Sequence, residues 1–200
     1  MELSIIRNLR ATKVQQTTLE KIVQMTRTSP LLKEYTDRAR KFYAAGKKGK
    51  VEHIKTMLLP AFAPAGYLMD GKGRENLIGL TGICFIDIDH MEDVPIEDCM
   101  RILQEDVNVL MASRSVSGKG IHILVPFTLL RDNPFAPLPC DPVRLNKIYG
   151  KVFSVVAAHY RQLLGVPIDE AVKNAERLCL VSYDPEALFN PQAQPLEVQY

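Results

Sequence analysis

The residues best placed to do chemistry are Asp87 and Asp89 in the run Phe85-Ile86-Asp87-Ile88-Asp89. On an extended strand, positions two apart share a face, so both carboxylates project to one side and Ile86 and Ile88 to the other. Neighbouring carboxylates repel each other and are costly to strip of water. A bound divalent cation offsets both costs, and carboxylate oxygens suit hard ions such as Mg²⁺ or Mn²⁺. The plainer alternative is a strand end whose acids face solvent, although strand interiors disfavour Asp.

A second candidate is Ser117-Gly118-Lys119-Gly120-Ile121-His122. Glycines let backbone amides approach phosphate oxygens, and Lys119 adds a compact positive charge. His122 opens the following strand. If that strand runs antiparallel to the one ending at Asp87 and Asp89, the acids and the turn converge. A glycine hairpin with a satisfied histidine is the competing reading. Two further residues extend the set. Asp169 follows Pro167-Ile168 and offers a third carboxylate, and Arg177 opens an apolar run and offers a phosphate or base contact. Both also suit simpler roles, as a turn cap and a surface charge. Asp184, before Pro185, reads as a turn residue. Of the remaining histidines, His53 stands alone, His90 reads as a loop residue beside the acids, and His159 as structural.

The elements that must position these groups are legible from residue 82 onward. Gly82–Ile88 is a short β-branched run expected to be a buried strand. Pro95–Asp106 reads as a helix, Asn108–Ser113 as a strand, Ser117–Gly120 as a turn and Ile121–Phe127 as a strand. Asp141-Pro142 opens a long helix running to about Leu164, with Asp as cap and Pro in the first turn. Leu178–Tyr183 is the last expected strand. The order β-α-β-β-α-β gives an α+β class and an RRM-like, ferredoxin-like sheet. There the first and third strands are central neighbours and the fourth flanks the first. Residues 17–58 carry helical periodicity, Pro60 and Pro64 begin an extended stretch, and the Pro-rich residues 128–140 form a loop. The expected organisation is a mainly helical basic segment (1–75) packed on a catalytic core (76–191), with a short tail (192–200).

Composition narrows the class. The 200 residues are 46% hydrophobic and 24% charged, as in ordinary globular proteins. No apolar run approaches the ~20 residues of a membrane span, and the first residues lack the pattern of a secretion signal. A cytoplasmic location without membrane contact is expected. The four cysteines, Cys84, Cys99, Cys140 and Cys179, form no CxxC pair, which disfavours a zinc knuckle; Cys84 and Cys179 lie in apolar runs and read as core. Net charge is +2, but residues 1–75 hold 15 Lys/Arg against 7 Asp/Glu. The stretch from Arg38 to Lys55 is the most basic, which fits either a solvated helix face or attraction to nucleic-acid phosphates.

Taken together, these motifs resemble the archaeo-eukaryotic primase, or prim-pol, superfamily. Its first motif is matched by Phe85-Ile86-Asp87-Ile88-Asp89, its second by Gly120-Ile121-His122 with Ser117 and Lys119 upstream, and its third by Ile168-Asp169. The stretch from Leu59-Pro60-Ala61-Phe62 to Asn190-Pro191, with Arg177 and Ser182-Tyr183-Asp184-Pro185, is similar to the VirE amino-terminal subgroup found on bacterial mobile elements. The resemblance covers about residues 50–191. It implies a primase–polymerase in which Asp87, Asp89 and Asp169 ligate two Mg²⁺ or Mn²⁺ ions. Ser117, Lys119, Gly120 and His122 would hold the incoming nucleotide, assisted by Arg177. It further implies a DNA template and primer, nucleoside triphosphates, and a helicase domain or protein as partners.

Three rivals fit less well. Diguanylate cyclases share the first strand but carry a Gly-Gly-acidic-acidic-Phe hairpin where this chain has Ser-Gly-Lys-Gly. A non-catalytic RRM-like nucleic-acid-binding module usually displays aromatic residues where this sheet carries acids. A replication-initiator nickase needs a His-hydrophobic-His pair, and here only His122 is present.

Overall fold

The computed structural model describes residues 1–89, 91, 94–132 and 137–200. His90 and residues 133–136 of the Pro-rich loop lie outside the described residues. Among those described, the chain forms eleven strands and five α-helices in an α+β arrangement whose sheets are mainly antiparallel. None of its helices is long and apolar enough to cross a membrane.

The N-terminal third begins with β1 (Glu2–Ile6) and β2 (Gln15–Thr18), then α1 (Leu19–Thr28), α2 (Pro30–Ala44) and α3 (Lys48–Met57). The helical expectation for residues 17–58 holds, broken where the sequence supplies caps. Thr18 Oγ1 accepts from the Lys21 amide and Ser29 Oγ from the Leu32 amide, with Pro30 in the first turn of α2. The extended stretch after Pro60 becomes β3 (Ala61–Ala63) and β4 (Gly66–Leu68), followed by β5 (Leu77–Leu80), which pairs with β4.

The next elements form the sheet that carries the acids. They are β6 (Ile83–Ile88), α4 (Ile96–Glu105), β7 (Met111–Arg114), β8 (Ile121–Leu130) and α5 (Pro142–Leu164). β8 is central: β6 pairs with it antiparallel over residues 121–126 and β7 over 121–124. The first and third strands of the expected unit are thus neighbours, and α5 begins at the anticipated cap, with Asp141 Oδ1 accepting from the Arg144 amide. Leu145, Tyr149, Val152, Phe153, Val156 and Tyr160 recur at helical spacing and bury one face of α5, which packs on β6 and β5.

The C-terminal part departs from expectation. Only Cys179–Leu180 of the run 178–183 forms a strand, β9, and it pairs with β3 rather than beside β6. This closes a second sheet of order β2-β1-β3-β9. β10 (Leu188–Phe189) joins β7, and β11 (Leu196–Gln199), within the stretch expected to be a tail, pairs in parallel with residues 127–130 of β8. One hydrophobic cluster of buried residues runs from Leu3 through Val198.

With β9 elsewhere, the outer edge of β6 still needs partners for its polar groups. The Phe85 amide donates to the Tyr149 hydroxyl at 3.1 Å, and the Asp87 carbonyl accepts from the Asp169 amide at 2.9 Å. The segment after α5 therefore docks where a fourth strand was expected, and it brings a carboxylate with it.

Candidate functional site

Asp87 projects from β6 while Ile86 and Ile88, on the opposite face, are fully buried. Asp89 follows immediately and is exposed. Asp169 caps the short 3-10 turn Glu170–Val172, one of its oxygens accepting from the Ala171 amide. Ligand oxygens of these three carboxylates lie within 4.8 Å of one another, close enough to share a metal ion. The chemistry of the donor set, all carboxylate oxygen, suits a hard divalent cation.

Asp87 supplies the strongest sign that something is to be bound. Its side chain is 17% exposed, and Oδ1 is buried with no hydrogen-bond partner. Burial pushes its carboxyl above the usual carboxylate range; His122 opposes this, while Asp89 and Asp169 reinforce it and Lys55 opposes it weakly. A buried oxygen left without a hydrogen bond and crowded by two further acids is a costly arrangement unless a cation completes it.

His122 is brought to Asp87 by register. The two are cross-strand partners in the β6–β8 ladder, and Nε2 lies 3.6 Å from Asp87 Oδ1. Its other nitrogen, Nδ1, sits 3.4 Å from the Cys179 sulfur, and the Phe85 ring meets the imidazole edge-on at 5.6 Å. Three contacts thus fix the ring. Burial drives the Cys179 thiol well above its ordinary pKa, with the nearby Asp87 adding to the effect, so it remains protonated. Sequence reading identified Cys179 as core; that it also touches His122 depends on the β3–β9 pairing, which no local pattern signals.

The Ser117–Gly120 segment forms the tight connection between β7 and β8. The Ser115 amide donates to the Gly120 carbonyl at 2.8 Å, and Ser117 Oγ lies 3.1 Å from Ser115 Oγ and accepts from the Lys119 amide. Gly118 adopts φ +72°, a left-handed conformation favouring glycine. At Gly120 a side chain would collide with the Ile88 carbonyl and crowd Asp89 Oδ1. Its role here is close approach to the acidic strand, which draws the hairpin against the site. Beneath the turn lies Arg40 of α2, whose guanidinium donates to the Ser115 and Tyr183 carbonyls. Part of the basic stretch is therefore built into the hairpin's support rather than solvated.

Several of these groups, though not Asp169 or the hairpin glycines, line one cleft of about 530 Å³. Its walls include Asp87, Asp89, Ser117, His122 and Arg177, together with Cys179 from β9. The cleft also receives Lys55 from α3 and Lys72 from the loop after β4. Lys72 was not singled out in the sequence; its ammonium donates to the Leu9 carbonyl, a contact with no local signature. Lys119 is exposed and is not among the residues lining the cleft.

Asp184 has a different environment. It is 1% exposed, and its oxygens accept from the Arg114 backbone amide at 2.7 Å and the Arg114 guanidinium at 2.9 Å. Its carboxylate is engaged in joining β7 to the segment before β10. His159 lies 3.8 Å from Asp106 Oδ2, at the edge of α5 rather than in the cleft.

No curated protein and no solved structure matches the chain. A family model does match, over residues 53–189, a span that contains the second half of α3, all three carboxylates, the hairpin and β9. By that match the chain belongs to the family described as BT4734-like, N-terminal domain.

Proposed function

We propose that this chain is the core of a divalent-metal nucleotidyltransferase of the primase–polymerase type, adding nucleotides to a nucleic-acid strand. The observation that carries this reading is the buried Oδ1 of Asp87, without a hydrogen bond, in a three-carboxylate cluster of which Asp87 and Asp89 share a cleft with His122 and Ser117. The strand order β7-β8-β6, with α4 between β6 and β7 and α5 after β8, supports an RRM-like sheet as the scaffold. The resemblance to prim-pol and VirE amino-terminal motifs is consistent with the same residues.

In this reading Asp87, Asp89 and Asp169 hold two Mg²⁺ or Mn²⁺ ions. Such ions favour ionisation of an attacking 3′-hydroxyl and neutralise charge developing on the pyrophosphate leaving group. The protein's part is positioning and charge. His122, held by Cys179 and Phe85, turns Nε2 toward the acids, and with a proton on that nitrogen it would donate to a phosphate oxygen. Ser117 borders the same space and Arg177 adds a cation, while Gly120 and Lys119 would act from the hairpin beside it. The DNA template and primer approach past the exposed lysines 47, 48 and 50 of the N-terminal segment. A helicase partner and a cytoplasmic setting fit this activity.

The deciding experiment is extension of a labelled primer on a DNA template with Mg²⁺ or Mn²⁺ and either ribo- or deoxyribonucleotides. Wild type should incorporate nucleotide, and the Asp87→Ala/Asp89→Ala variant should lose at least about a thousandfold of that rate, on the scale of removing a principal source of transition-state charge stabilisation. Equal incorporation by both proteins would refute the assignment.

A further inference from the structure

A triphosphate carries more negative charge than one divalent ion neutralises, so a cleft built for it needs fixed cations as well as metal ligands. Lys119 of the hairpin stands outside the cleft lining. The cleft's own cations are Lys55, Lys72 and Arg177. None of them makes an ion pair with a described carboxylate. Lys55 and Lys72 are both half-buried, and Lys72 is fixed by the neutral Leu9 carbonyl, which orients the ammonium without cancelling its charge. Half-buried ammonium groups held in no close ion pair are costly, and an anionic ligand relieves that cost.

We propose that Lys55 and Lys72 bind the phosphate chain of the incoming nucleoside triphosphate, with Arg177 beside them. This rests on the nucleotidyltransferase reading and deepens it. The substrate site is then completed by α3 and the loop after β4, outside the strands that carry the recognisable motifs. Two observations favour a nucleotide over a nucleic-acid backbone. The cleft is about 530 Å³, a small-ligand size. Lys55 also lies close enough to the carboxylate cluster to influence Asp87. The lysines at 47, 48 and 50 are, by contrast, exposed on the surface, as a backbone path requires.

The test is equilibrium binding of a fluorescent nucleoside triphosphate in Mn²⁺, comparing wild type, Lys55→Gln, Lys72→Gln, the double variant and the remote control Lys151→Gln. Each single change is expected to weaken triphosphate binding about tenfold, the size of one lost charge-assisted hydrogen bond, and the double change further. Lys72→Arg should recover most of the loss. Affinity for Mn²⁺ alone should be unchanged in Lys72→Gln, and affinity for single-stranded oligonucleotide unchanged in both single variants. Should Lys72→Gln perturb the fold by circular dichroism, Lys55→Gln decides alone. Wild-type triphosphate affinity in the double variant would overturn the proposal, as would a loss confined to oligonucleotide binding. Failure of wild type itself to bind triphosphate would instead remove the nucleotidyltransferase reading on which it stands.

Discussion

The Asp169 amide donates to the Asp87 carbonyl at 2.9 Å, so one backbone hydrogen bond both closes the outer edge of β6 and delivers the third carboxylate to the first two. The acidic cluster is consequently a product of strand-edge satisfaction. The register in which the segment after α5 docks on β6 sets Asp169 beside Asp87.

This arrangement places a cost on Asp87 that substitution should reveal. Burial raises its pKa, so the native state holds that proton more tightly than the unfolded chain does. Stability is therefore drawn away as pH rises from the ordinary value of 3.8 through the raised native value. In chelator-treated protein, Asp87→Asn should melt a few degrees higher than wild type at neutral pH. The gap should narrow as pH falls toward the ordinary carboxylate range. Thermal melts across pH would show this; an Asn variant less stable than wild type at neutral pH would contradict it.

The hairpin makes a steric prediction. A methyl group at Gly120 would overlap the Ile88 carbonyl, which is backbone and cannot swing aside. Gly120→Ala should cost about 1–3 kcal/mol, the usual range for overpacking, measured by urea unfolding. Gly150→Ala, on α5 with nothing near the added carbon, should be neutral or stabilising, since alanine favours helix over glycine.

Asp169 and Asp184 should separate cleanly. Asp184 is buried against Arg114, and removing one partner of such a pair typically costs about 3–5 kcal/mol. Arg114 keeps Glu97 and Glu186 nearby, so Asp184→Ala is expected at the lower end, about 3 kcal/mol, with metal affinity retained. Asp169→Asn should do the reverse, keeping stability within about 1 kcal/mol while weakening metal binding. Urea unfolding and calorimetry on the two variants check both halves, and equal metal affinities for Asp169→Asn and wild type would count against the cluster.

Much of the site was legible locally. Alternation in Phe85–Asp89 placed two acids on one face, and an antiparallel β8 was enough to bring His122 to them. The Asp141-Pro142 start of α5 was equally clear because capping is a short-range signal. Illegible were the contacts made by pairing distant segments. β1 and β2 close a hairpin onto β3 through a register that Gln15–Thr18, a wholly polar strand, does not announce. β9 was expected beside β6 because its apolar run suits any buried edge; β3 took it, and the Asp169 segment took β6. That exchange put Cys179 on His122. Lys72 escaped notice because its anchor, the Leu9 carbonyl, lies 63 residues away.

The most direct measurement is Mn²⁺ binding followed by electron paramagnetic resonance, titrating the ion into wild type and into Asp87→Asn at neutral pH. Loss of the free-ion signal at stoichiometric wild-type protein, with that signal retained in the variant, is the expected outcome. Equal Mn²⁺ uptake by both proteins, or none by wild type, would contradict a cation site built on Asp87, Asp89 and Asp169.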